Sequence, residues 1–268
     1  MTTPEIRSFL FGMAGVSTTL FLILLAIYAD ETPSALTSIA SMSSMLLTGS
    51  TDYSSFGKGF SANVLVSIVA MAISLLAGTM LGVGLITKNI VVQYLCKFVM
   101  NFLRNSPWLV ILYAMLYLIP YEVTLFGYVL ILSPMVKAVV GLSLPITANV
   151  AEVFRGGVDS IPEGQWEASR SLGYKRSQIL RDVILPQALP LMIPNVMTVY
   201  ASLFIGTSLI VVTGTEDIIS IARVLIASGA DQYATAIYLF ILFLFFAFAF
   251  PIAMATRWLE RRLRSVSA

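Results

Sequence analysis

Long apolar runs alternate with short polar stretches along this 268-residue chain. The first run, "SFLFGMAGVSTTLFLILLAIY" over 8–28, carries no charge and meets the roughly 20 residues that a bilayer-crossing helix needs. It exceeds the apolar core of a cleaved signal peptide and has only Arg7 before it, so it reads as a span. Further runs at 63–86, 134–153, 191–213 and 237–255, with a broken segment ending near Ile119, bring the number to about six. In the broken segment, "KFVMNFLRNSPWLVILYAMLYLIP", the continuous apolar part reaches only from Pro107 to Pro120 and follows Arg104, Asn105 and Ser106. Two readings stay open there: an amphipathic helix leading into a tilted span, or a break at Ser106 and Pro107 whose freed backbone groups face protein or a watery cavity. Between the first two spans, "ETPSALTSIASMSSMLLTG" places Leu36, Ile39, Met42 and Leu46 at helical spacing between a Thr32-Pro33 start and a Gly49 stop. A short interfacial helix and a Ser/Thr-rich loop both fit that stretch.

Charge placement sets the direction. With the N-terminus in the cytoplasm, every Lys and Arg falls inside except Lys58 and Arg223, which lie outside, and Lys137. Lys137 stands three residues into a span, where it is expected to snorkel to the headgroups. Both termini are thus expected to be cytoplasmic. Composition agrees with a membrane protein: 58% of residues are hydrophobic and 11% charged, against roughly 25% charged in soluble domains. Histidine is absent and Cys96 is the lone cysteine, which excludes a His/Cys zinc site and a disulfide framework within one chain. No half of the chain repeats the other, which points to a pore formed between two subunits rather than within one.

One polar interlude, "SIPEGQWEASRSLGYKRSQILRDVILPQALP" over 160–190, interrupts the spans on the cytoplasmic side. Ser160 and Glu163 have capping-box spacing, Pro162 suits a first turn, and Gly173 suits a left-handed stop, predicting a helix over 161–172. A second helix is expected to start at Ser177 and run to Pro186. Gln165, Trp166, Ser169 and Gly173 share a face, and Trp166 reads either as an anchor for a protein surface or as an interfacial residue.

The string "EASRSLGYKRSQILRDVILP" resembles the EAA loop of binding-protein-dependent ABC importer permeases, the pattern falling on Glu167, Ala168, Ser169, Gly173, Val183, Leu185 and Pro186. Ser169 and Val183 replace the family's alanine and isoleucine. The wider "AEVFRGGVDSIPEGQWEASRSLGY" is similar to the polar amino acid subfamily, which carries histidine, glutamine, arginine and related solutes. The resemblance implies an all-α integral membrane protein with the type I (MetI-like) permease fold. Its expected divisions are an extra N-terminal helix with an outer segment (1–59), a permease domain (60–258) and a basic tail (259–268). It also implies that Ser160, Pro162, Gly164, Gln165, Trp166, Glu167, Ala168, Ser169, Gly173, Leu185 and Pro186 couple the chain to an ATPase. The implied partners are two ATP-binding subunits, a second permease in a homo- or heterodimer and a periplasmic solute-binding protein, in an inner membrane whose lipid surrounds the spans. No nucleic acid is implied. The chain has no GxxxxGK[ST] loop, so ATP and Mg belong to the ATP-binding partner, and no cofactor or metal is expected here.

The spans depart from the family where solute is handled: Ile111 stands where glutamine is usual, Ile205 and Gly206 replace a polar pair before Thr207 and Ser208, and "LPITAN" replaces "LNSAAY". The remaining polar candidates for the pathway are Asn105, Ser106, Tyr113, Thr147, Asn149, Thr207 and Ser208. Glu152, three residues before Arg155, is expected to form a structural ion pair. Acidic Glu122, Glu216, Asp217 and Asp231 in the outer loops are candidates for meeting the binding protein. Pro186, Pro190 and Pro194 recur on one helix side and suggest a bent approach to the fifth span. A secondary transporter would be expected to carry intramembrane coupling carboxylates, and an intramembrane enzyme a nucleophile with its base; neither constellation is present.

Overall fold

The computed structural model describes residues 3–125 and 127–266. The outermost ends of the two terminal divisions, 1–2 and 267–268, and the side chain of Arg264 lie outside the described residues. In chain order the elements are α1 (Thr3–Tyr28), α2 (Thr32–Thr48), α3 (Gly59–Leu85), α4 (Ile90–Asn105), α5 (Trp108–Leu118), β1 (Glu122–Leu125), β2 (Tyr128–Ile131) and α6 (Pro134–Asp159). There follow α7 (Glu163–Ser171), α8 (Arg176–Gln178), a π-helical turn (Ile179–Ile184), α9 (Leu185–Gly206), α10 (Ile218–Leu225) and α11 (Ala234–Val266). Among the described residues five helical stretches are long and apolar enough to cross a membrane, and α5 adds a shorter apolar helix. The chain is a multi-pass helical membrane protein.

The third span combines the amphipathic helix of one reading with the break at Ser106 and Pro107 of the other. Residues 90–105 form the amphipathic α4, and the helix stops at Ser106, where Pro107 takes extended dihedrals before α5 begins. The outer stretch is helical: Pro33 lies in the first turn of α2, and Gly49 closes it at φ 73° with its N–H donated to the Met45 carbonyl at 2.8 Å. Leu46 is fully buried and Ile39 and Met42 half-buried, while Leu36 is exposed.

The core centres on α6, whose low hydropathy reflects many small and polar residues. In a bilayer such residues turn towards protein, and α6 is accordingly the most enclosed span. It packs on α3 at glycines: a Cβ on Gly78 would lie 2.6 Å from Val150 Cβ, and one on Gly82 2.7 Å from Phe154. The Ser74 hydroxyl donates across that seam to the Ser143 carbonyl at 3.0 Å. A second apolar cluster joins Leu46, Phe204, Ile218, Ile237 and Phe245, with Phe204 stacked on Phe248 at 4.0 Å. Helix α1 lies at the periphery along α11, held by Phe9 stacked on Phe250 and by the Tyr28 hydroxyl, which donates to the Gln232 carbonyl at 3.1 Å.

Two sequence expectations, for Lys137 and Asp217, are corrected on the face opposite the polar interlude. Lys137 does not snorkel; it is fully buried, with Nζ donating to the Leu116 carbonyl at 3.1 Å and lying 3.4 Å from the Tyr121 ring centroid. The Leu116 carbonyl would ordinarily accept the N–H of residue 120, but Pro120 has none, so the ammonium supplies the missing donor. Asp217 is also fully buried: it caps α10, with Oδ1 accepting from the Ser220 N–H at 2.9 Å and the Ser220 hydroxyl at 2.7 Å. Glu216 is paired with Lys58 at 2.6 Å. The outer loop over 120–133 contains an antiparallel hairpin, β1–β2, with Glu122 opposite Ile131. Its second strand exposes all four side chains.

Candidate functional site

At the other end of the bundle α6 leads directly into α7. The predicted capping box is not formed: the Ser160 hydroxyl donates back to the Gly157 carbonyl at 2.7 Å, finishing α6, and Pro162 occupies the N-cap of α7 with no side-chain cap. The predicted stop holds. Gly173 has φ 83°, its N–H reaches the Arg170 carbonyl at 2.9 Å, and the Tyr174 N–H reaches the Ser169 carbonyl at 3.2 Å, the paired bonds of a Schellman motif. The second helix begins at Arg176 rather than Ser177, because Gln178 reaches back to accept the Lys175 N–H at 2.9 Å. It runs without interruption into α9. The π-helical turn ends at Ile184, two residues before Pro186, whose absent N–H disturbs the regular ladder.

The two sides of α7 differ. Ser169 is buried, its hydroxyl spent on the Gln165 carbonyl at 2.7 Å. Trp166 is half-buried against a cluster that includes Phe154, Ile161, Ile184 and Met192, with the Arg176 guanidinium 5.1 Å from its ring. Arg176 in turn donates to the Ile86 carbonyl at 2.9 Å, tying the loop to the end of α3. Gln165 shares the face of Trp166 and Ser169 but is itself exposed, and the Gln187 amide approaches it at 3.5 Å. The outward side consists of Gly164, Glu167, Ala168 and Ser171, followed by Leu172 at 77% exposure and Tyr174 at 45%. Small residues at 164 and 168 leave room for close approach of another surface, and Leu172 and Tyr174 offer it apolar contact. Sequence reasoning passed over these two because the segment stands out by its polarity; their position on either side of Gly173 was the available signal. Leu185 is half-buried in the cluster beneath and Pro186 is exposed.

Just inside this end, Glu152 receives both Arg155 Nε at 3.1 Å and Nη2 at 2.8 Å, and Arg155 also reaches Asp159 at 2.8 Å. The expected ion pair is present, and Arg104 of α4 extends it at 3.6 Å.

The pathway candidates are scattered. Asn105 and Ser106 turn back on the end of α4, donating to the Asn101 and Phe102 carbonyls at 2.7 Å each, the second of which is a carbonyl freed at the break. Tyr113 is exposed on α5, and Thr147, Asn149 and Ser208 are half-buried. Thr147 and Asn149, two positions apart on α6, fall on opposite sides of the helix. Thr207 is fully buried, its hydroxyl donating to the Phe204 carbonyl at 2.7 Å. It belongs to a clamp that sequence reasoning missed. Asn63 of α3 donates to the Thr207 carbonyl at 3.0 Å and accepts the Ile218 N–H at 3.2 Å, joining α3 to the end of α9 and the start of α10. An asparagine at the edge of an otherwise apolar span was the signal. Trp108 packs directly against Gly206.

A bundle of membrane-length helices, with a broken third span and an exposed helix-turn extending the most buried one, defines a type I importer permease architecture. The chain belongs to the family described as "Binding-protein-dependent transport system inner membrane component", which it matches over residues 73–265. It is 28% identical over 212 residues to the probable glutamine ABC transporter permease protein GlnM of Bacillus subtilis (strain 168), covering 79% of this chain and 94% of that one. To the L-cystine transport system permease protein TcyL of the same organism it is 34% identical over 182 residues, covering 66% and 76%. Among solved structures it superposes on an amino acid ABC transporter crystallised with histidines at TM-score 0.67 and 23% identity, covering 76% of this chain and 92% of that one. The inward-facing MetNI methionine ABC transporter gives 0.56 and 22%, over 76% and 90%. These two likenesses bear on the fold.

Proposed function

We propose that this chain is the permease subunit of an ATP-driven importer for a polar amino acid or an amino acid derivative, set in the inner membrane with both termini in the cytoplasm. The relatives named for glutamine and cystine support the solute class, and the excess of basic residues at one end supports the orientation. The observation that carries the mechanism is α7. It is rooted on its own chain through Trp166 and Ser169 while Gly164, Glu167, Ala168 and the Gly173 turn face outward. Such a helix passes force from a docked ATP-binding subunit to α6 and α9, to which it is joined at both ends, with Leu185 and Pro186 at the return into the membrane. Two ATP-binding subunits, holding the ATP and Mg, would engage two permease chains. A periplasmic binding protein would deliver solute to the opposite face, to a pathway drawing on Asn105, Ser106, Tyr113, Asn149 and Ser208.

Gly173→Asp tests this reading. The aspartate must adopt a left-handed conformation costing about 1–2 kcal/mol, and it places a charge on the docking surface. The expected result is a protein that inserts normally, no longer co-purifies with its ATPase and supports no uptake. Retained ATPase binding together with full uptake would overturn the coupling assignment, and uptake without any ATPase would make the chain a secondary transporter or channel. Competition of uptake by glutamine, cystine, histidine and arginine separates amino acid solutes from others.

A further inference from the structure

We propose that a cavity of about 510 Å³ between α4 and α7 binds a phosphate-bearing anion, and that the headgroup of an anionic phospholipid of the cytoplasmic leaflet supplies it. This inference rests on the proposed orientation but not on the solute or the ATPase. Four cations, Lys97, Arg155, Arg170 and Arg176, line the cavity against two carboxylates, Asp159 and Glu163. Arg155 is already committed to Glu152 and Asp159. Arg170 meets Glu163 only at 3.9 Å. Lys97 and Arg176 have no carboxylate partner among the described residues: Lys97 lies 5.8 Å from the Tyr94 ring, and Arg176 uses one N–H on the Ile86 carbonyl. The cavity therefore holds positive charge in excess, with ammonium and guanidinium donors still available to an oxyanion.

Helix α4 argues for a lipid as the source. Its inner face packs on the bundle through Cys96, Met100 and Leu103. A polar strip with Gln93, Lys97 and Arg104 comes next around the helix, and beside it runs an apolar stripe, Val91, Tyr94, Leu95, Phe98 and Phe102, each more than 60% exposed. An apolar stripe adjoining a basic strip is the arrangement of a helix lying at the headgroup boundary. It sets acyl chains along Phe98 and Phe102 and the phosphate beside Lys97. Basic pockets between membrane helices on the cytoplasmic side suit anionic headgroups.

The test uses the purified full-length protein, with retention of phosphatidylglycerol against phosphatidylcholine read by native mass spectrometry from mixed vesicles, and inorganic phosphate titrated separately in detergent. Selective retention of phosphatidylglycerol is expected, about fivefold weaker in Lys97→Gln, restored in Lys97→Arg and unchanged in Lys88→Gln, a cation outside this cavity. Binding of inorganic phosphate that Lys97→Gln weakens, without lipid selectivity, would uphold the anion site with a free anion as its ligand. Equal retention of the two lipids with no phosphate binding, or a selectivity that survives both Lys97→Gln and Arg176→Gln, would overturn the proposal. Lys97 is exposed and has no carboxylate partner among the described residues, so the single variant suffices should Arg176→Gln disturb α7.

Discussion

Lys137 and Asp217 show how single polar residues are used within an apolar chain. Replacing Lys137 by methionine keeps the volume but strips the Leu116 carbonyl of its donor, with Pro120 unable to substitute. An orphaned buried carbonyl costs about 1–3 kcal/mol, so Lys137→Met should unfold at lower temperature in detergent; an unchanged melting profile would refute the capping role. Asp217 caps α10 from a fully buried position, and burial pushes its carboxyl above the ordinary 3.8, opposed by the Ser220 hydroxyl and amide. The folded chain thus holds this proton to higher pH than the unfolded one. The contribution to stability is fullest near pH 3.8 and below, and it declines as pH rises through the raised value. Asp217→Asn should flatten that dependence while keeping the cap, whereas Asp217→Ala should cost about 1 kcal/mol at neutral pH. Melting curves of the three proteins across pH separate the two effects.

Between elements, the decisive contact is α3 against α6, where Gly78 and Gly82 bring the helices together. Gly78→Val would press its side chain into Val150 and the Thr147 carbonyl; overpacking of this kind costs about 1–3 kcal/mol. Expression with a lowered melting temperature is the expected outcome, and Gly15→Val, where a Cβ meets nothing within 4 Å, is the matched control. Trp166→Ala belongs to the same scale. It removes the packing that roots α7 on the apolar cluster beneath it and the surface on which Arg176 rests. Insertion should persist while ATP hydrolysis continues without uptake. Full uptake in this variant would mean that α7 is held by its two ends alone.

For the whole molecule, the single native cysteine makes sidedness measurable. In a Cys96→Ala background, Thr51→Cys should react with a membrane-impermeant maleimide from the periplasmic side, and Ser171→Cys only after permeabilisation; both positions are exposed. The reverse pattern would place the basic end outside and remove the cytoplasmic reading of α7 and of the anion cavity together.

Much of this protein was legible in the chain. Spans announce themselves because a bilayer demands long apolar runs, and helix stops at Gly49 and Gly173 announce themselves because few other residues accept a left-handed turn. Local signals failed where two elements meet. The spacing of Ser160 and Glu163 matched a capping box, yet the hydroxyl was claimed by the preceding helix. Trp166 read from the sequence either as an anchor for a protein surface or as an interfacial residue, and only the packing of α6 and α9 shows that part of its ring rests on its own chain. Lys137, Asp217 and Asn63 look like stray polar residues in sequence and find their roles only beside Leu116, Ser220 and Thr207. Hydropathy and turn chemistry act over a few residues and so can be read along the chain. The partner of a buried donor or acceptor is chosen by which helices lie side by side, and that was decided only by the tertiary structure.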